Sequence, residues 1–143
     1  MKSGQGITSA HPAIVAYAKQ QGLGPAAFKS NGRLTVRFDD RYRVHLQPVA
    51  SGRIAITTRL LDLASLGKRK DEVLGRLSTL AAGLLRDHMA SLCIDPSDQT
   101  LQLQAQLETD TDAARLQVEL EDFLNSLEFW TRTCASASYA TPA

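Results

Sequence analysis

The chain has 143 residues, 43% of them hydrophobic and 22% charged, with a formal net charge of +1, a balance typical of one globular domain that needs neither metal nor disulfide to hold a core. Two cysteines, Cys93 and Cys134, without a CxxC spacing exclude a disulfide-stapled secreted scaffold, and reduced core thiols are expected. No apolar run approaches the roughly 20 residues that span a bilayer, and residues 1–9 lack an apolar signal region, so a cytoplasmic chain without membrane insertion is expected.

A first helix is predicted from Ser9 to Gln21, with Pro12 in its opening turn, Ile14, Val15 and Ala18 on one side and Gly22 as its stop. Gly22, Gly24 and Pro25 break the chain before three segments of period 2. In Arg33 to Phe38 the apolar set is Leu34, Val36 and Phe38; in Tyr42 to Gln47 it is Tyr42, Val44 and Leu46; in Arg53 to Leu60 it is Ile54, Ile56 and Leu60. Asp39-Asp40-Arg41 and Ala50-Ser51-Gly52 are turn sequences, so the three strands form an antiparallel meander with one core face.

Arg69 to Leu92 is the longest helical period, with Val73, Leu74, Leu77, Leu80, Ala81, Leu84, Leu85 and Met89 spread over roughly 180° of its circumference. A helix packed only on its own sheet needs a stripe of about 100°, so the surplus predicts a second burial surface. Cys93-Ile94 and Thr100 to Leu107 read as two further strands around the turn Asp95-Pro96-Ser97-Asp98; the second sets Leu101, Leu103, Ala105 and Leu107 against Gln102, Gln104 and Gln106. Thr109 to Asp112 supplies an N-cap for a last helix from Ala113 to about Cys134. Its main stripe is Leu116, Leu120, Phe123, Leu124, Leu127 and Trp130, with Val118 and Phe129 on the opposite side. Residues 135–143 show no period and are expected to form a mobile tail after a single domain of residues 1–134.

Reactive constellations are missing from this pattern. Gly22-Leu23-Gly24 follows a helix, whereas a dinucleotide-binding turn follows a strand. His11, His45 and His88 fall on three different elements without ligand spacing, Asp39-Asp40 sits between alternating strands as a turn, and no Ser, Cys or Lys has the surroundings of an activated nucleophile. Neither a catalytic site nor a metal or other cofactor is expected.

Charge is uneven along the chain. Residues 1–90 carry 14 Lys and Arg against 6 Asp and Glu (+8), and residues 91–143 carry 2 against 9 (−7). Mutual neutralisation in the fold is the simpler expectation, recognition of an acidic partner the alternative. Arg33, Arg37, Arg43, His45, Arg53 and Arg59 fall on the outward positions of the meander, either as a solvated face or as a basic platform for RNA or an acidic peptide. The aromatics that RNA-binding sheets use for stacking are absent from these positions.

The order α-β-β-β-α-β-β-α predicts an α+β fold, a twisted antiparallel sheet packed with helices. The segments Gly32 to Asp39, Leu84 to His88, Leu92 to Leu103 and Leu124 to Trp130, spread over residues 10–134, resemble the class I type III secretion chaperones, the Tir-chaperone family. The near-neutral charge and His88, where the family often carries Asn, depart from its pattern. The resemblance implies a cytosolic homodimer that binds an extended N-terminal region of a secreted virulence effector without ATP, and it admits the secretion-system ATPase as a further partner. A nucleic-acid or regulatory module using the arginine face is the alternative. On the chaperone reading the client groove is expected at Ile14, Val15, Tyr17, Leu34, Val36 and Val44, with Phe129 as a further contact, and the two-fold interface at Leu77, Leu84, Leu85 and His88 with Leu101 and Leu103 beside them.

Overall fold

The computed structural model describes residues 10–84 and 90–139. Its elements are α1 (Pro12–Gln20), β1 (Leu34–Phe38), β2 (Tyr42–Pro48), β3 (Ile54–Asp62), α2 (Lys70–Leu84), β4 (Ser91–Asp95), β5 (Thr100–Leu107) and α3 (Ala113–Tyr139), with short 3-10 helices at Pro25–Ala27 and Leu63–Arg69. The five strands form one antiparallel sheet in the order β1-β2-β3-β5-β4, which leaves β1 and β4 as edges. This is the α+β arrangement that the period-2 and helical segments predict.

Alternation decides which face is buried. Leu34, Val44, Leu46, Ile54, Ile56, Leu101, Leu103 and Leu107 fill one side of the sheet, and α3 packs over β3 and β5 there, with α1 and α2 both against it. The opposite side is the open face, crossed by a row of one residue per strand: Thr35, His45, Thr57, Gln104 and Ser91. A register shift between Arg59 and Leu61 bends the end of β3.

Caps and turns follow from specific side chains. His11 caps α1: its Nδ1 accepts from Ala13 N at 3.0 Å and its Nε2 lies 2.7 Å from Thr109 O, so the tautomer with hydrogen on Nε2 satisfies both and ties α1 to the loop before α3. Asp112 caps α3 by accepting from Arg115 N at 2.8 Å. Asp39 and Asp40 both take φ of 53° and Arg41 N donates to Phe38 O, so this acid pair is the β1–β2 turn, in a conformation Asp tolerates.

Two boundaries and one burial differ from the sequence expectation. The last helix runs to Tyr139, past the expected end near Cys134; the buried series Leu116, Leu120, Phe123, Leu127, Trp130 continues with Cys134 and Ala137, and Arg69 Nη2 donates to Ala137 O. Small Ala and Ser side chains there hide the apolar period. The long helix does not reach Leu92, because Ser91 and Leu92 pair with Gln104 and Leu103 in the sheet. Cys93 is a half-buried residue of the edge strand β4, its Sγ donating to Gln104 Oε1, whereas Cys134 is the core thiol, pushed by burial to a pKa of about 11.

Candidate functional site

The residues expected to form a groove come from α1, β1 and β2. Phe28 is buried and bridges to Leu34, and Lys29 N donates to Arg33 O, so residues 28–33 fold back along the start of β1. That bond aims the main-chain groups of the odd-numbered residues away from β2, and beyond it no described residue pairs with the outer edge from Val36 to Phe38. Val15 of α1 and Val36 and Phe38 of β1 are half-buried.

Four of the expected groove residues are elsewhere. Ile14, Tyr17, Leu34 and Val44 are buried in the subunit core. Although the Gly-Pro break separates α1 from the strands along the chain, α1 packs against α3 and its Ile14 and Tyr17 join the same core as Leu34 and Val44. Burial also raises the pKa of the Tyr17 hydroxyl. Val15, Val36 and Phe129 keep surface that a partner can reach, Phe129 being 40% exposed with its ring edge-on to Trp130.

The expected interface residues divide in the same way. Leu77, Leu101 and Leu103 are interior, because the sheet, α2 and α3 of one subunit suffice to cover them. The side chain of Leu84 and residues Leu85 and His88 lie outside the described residues. The surplus of the wide apolar arc falls on Leu80, which is 45% exposed beside a hollow of about 430 Å³ between α2 and α3, lined by Arg76, Leu80, Arg132, Thr133, Ser136 and Ala137. Ile94 on edge strand β4 is 49% exposed. Its sequence neighbours gave no sign of this, since a two-residue apolar step does not show whether its strand is central or an edge.

On the open face, Arg37 lies directly opposite Arg43. His45 stands between them and the Thr57 row, its Nδ1 2.8 Å from Thr35 Oγ1. Burial first, and then the charges of Arg33, Lys29, Arg43 and Arg59, hold its pKa down to about 4. The neutral ring is therefore favoured by folding, and its contribution to stability is complete above about pH 6.5 and lost as pH falls towards 4. His45→Gln is expected to reduce the drop in urea midpoint between pH 7 and pH 5; an unchanged drop would show that ring protonation does not oppose folding.

Among the described residues most of the ion pairs stay within one charge half. Arg115 pairs with Glu119 and Arg132 with Glu128 within α3, and Arg76 with Glu72 within α2, while Arg59 reaches Asp98 at 3.8 Å. Local helical spacing satisfies these acids before the distant arginines can. Among the described residues there is no group of three His, Cys, Asp or Glu placed to hold a metal ion, and no helix is long and apolar enough to cross a membrane.

Comparison with known proteins adds to this geometry. A family model described as the Tir chaperone protein (CesT) family matches residues 13–131. Among solved structures, the ExsC-ExsE complex matches with a TM-score of 0.65 at 20% identity, over 92% of this chain and 94% of that one. The Yersinia pestis type III secretion chaperone SycH, in complex with a stable fragment of YscM2, matches with a TM-score of 0.56 at 18% identity, over 84% and 98%. The ExoT-SpcS complex from Pseudomonas aeruginosa matches with a TM-score of 0.58 at 16% identity, over 83% and 94%. At these identities the structural likeness speaks for the fold. No match was found among curated protein sequences.

Proposed function

Because the chain belongs to the Tir chaperone protein (CesT) family, a family of type III secretion chaperones that bind effectors, we propose that it holds an extended N-terminal segment of its effector at the open edge of β1. Val15 and Val36 are the side-chain contacts in this reading, and the free main-chain groups of β1 pair with the client as an added strand. Such pairing needs no ATP-driven motion, and it covers a segment that would otherwise aggregate. The observation that carries the reading is an unpaired edge with half-buried apolar residues beside it, in a chain whose family match spans residues 13–131.

The chaperone acts in the cytosol, catalyses no reaction, and passes its loaded client to the secretion-system ATPase. The arginine face is no nucleic-acid platform in this reading, because the family binds proteins. Identifying the effector by co-purification and mass spectrometry, then titrating its N-terminal segment calorimetrically with and without ATP, tests the proposal. Saturable binding unaffected by ATP is expected; binding only of the folded effector domain would contradict it.

A homodimer belongs to the same proposal, with Leu80 and Ile94 joining Leu84, Leu85 and His88 at the two-fold contact. Leu80→Asp places a charge at the exposed position without touching the core, so a shift from dimer to monomer mass is expected in light scattering at micromolar concentration. A parent protein that is already monomeric there would remove the dimer from the account.

A further inference from the structure

The open face of the sheet carries positive charge that the fold does not answer. Arg37 and Arg43 are exposed and directly opposed across β1 and β2, and Arg59 continues the row on β3, two residues beyond the His45–Thr57 pair and opposite Gln102. Like charges in opposed cross-strand positions repel, and a guanidinium cannot relieve this by losing its proton. Among the described residues neither Arg37 nor Arg43 makes an ion pair, and Arg59 meets Asp98 only at 3.8 Å with both side chains largely in solvent. Arg33 adds a further cation whose Nε is buried without a hydrogen-bond partner. A hollow of about 360 Å³ opens among these groups, lined by Arg41, Tyr42, Arg43, His45, Thr58 and Arg59.

The same face continues across β5 with Gln102 and Gln104, polar groups without charge that can donate to or accept from a peptide main chain. We propose that this face docks an extended acidic peptide, with carboxylates over the Arg37–Arg43–Arg59 row and its main chain against the glutamines of β5. Guanidinium forks match carboxylates in two-point hydrogen bonds, and strands about 4.8 Å apart present them at a spacing that successive acidic side chains can reach. A nucleic acid is disfavoured by the lack of a stacking platform, since Arg41 already lies over the Tyr42 ring at 5.0 Å. The proposal rests on the reading that the chain holds extended client segments, and it adds a second surface to the β1 edge.

The test uses the full chain, a short fluorescein-labelled peptide of alternating Glu and Ser, the same peptide with Gln for Glu, and oligothymidylate, compared by fluorescence anisotropy at low salt. The acidic peptide should bind saturably, the Gln peptide should not, and the double variant Arg37→Gln, Arg43→Gln should bind the acidic peptide about tenfold more weakly. An acidic peptide that does not bind, a double variant that binds like the parent, or oligothymidylate that binds more tightly than the peptide overturns the proposal. None of these results depends on binding of the effector segment at β1, which is measured separately, so the two readings fail separately.

Discussion

Ile14→Asp is expected to abolish folding, whereas Val36→Asp leaves a folded protein. Ile14 is fully buried on the inner side of α1, in the cluster that contains Tyr17, Leu34, Leu46 and Phe123. An ionised carboxylate there loses its water without gaining a partner, at a cost of several kcal/mol even after relaxation. The substitution also removes an apolar side chain whose burial contributes about 2 kcal/mol. Since a domain of this size has roughly 5–15 kcal/mol in total, the two losses together consume most of it. Val36 is half-buried on an edge strand, so its substitution is expected to cost about 1 kcal/mol. Circular dichroism and urea titration of both variants check this; a cooperative, parent-like transition for Ile14→Asp would show that α1 is not part of the core.

The second large effect is on the client. With the fold intact, Val36→Asp puts a charge where an added strand would bury its own apolar side chain against β1. A lost anchor of this kind costs about 2 kcal/mol, roughly a thirtyfold loss of affinity for the effector segment. Phe129→Ser, on the exposed side of α3, should change that affinity far less if the β1 edge is the site. Should Val36→Asp bind as tightly as the parent, the client lies elsewhere and the arginine face becomes the better candidate.

Strand identity and register face were legible because alternation is unambiguous over Leu34 to Phe38, Tyr42 to Gln47 and Thr100 to Leu107: a slip of one residue would put every apolar side chain in water. What pattern alone does not give is how much of an apolar face one subunit covers by itself. Ile14, Leu34 and Val44 looked available for a groove because sequence shows that they are apolar and on one side, not that a single subunit buries them in its own core. The opposite case is Ala137, a small residue buried against the core beyond the expected end of the last helix. The wide arc of the long helix did announce surplus apolar surface, but of its members Leu77 is interior and Leu80 exposed, a difference of one helical turn that only the packing of α2 against α3 decides.

Arginine placement was legible too, since Arg37, Arg43 and Arg59 follow the same alternation as their apolar neighbours. Their weak compensation was not, because net charge near zero suggests pairing, and only the structure shows Glu119 and Glu128 of α3 bound one turn away to Arg115 and Arg132, with Arg59 reaching Asp98 at 3.8 Å.

Amide hydrogen exchange of the free and effector-loaded protein tests the central claim most directly. In the free chain the outward-facing main-chain amide of Arg37 should exchange quickly, because among the described residues nothing pairs with the outer edge of β1 beyond its first residues. If the client adds a strand there, exchange at Arg37 should slow at least about tenfold on loading, while the central strands β3 and β5, already paired on both sides, change little. Unchanged exchange across β1 in a fully loaded complex would contradict the account.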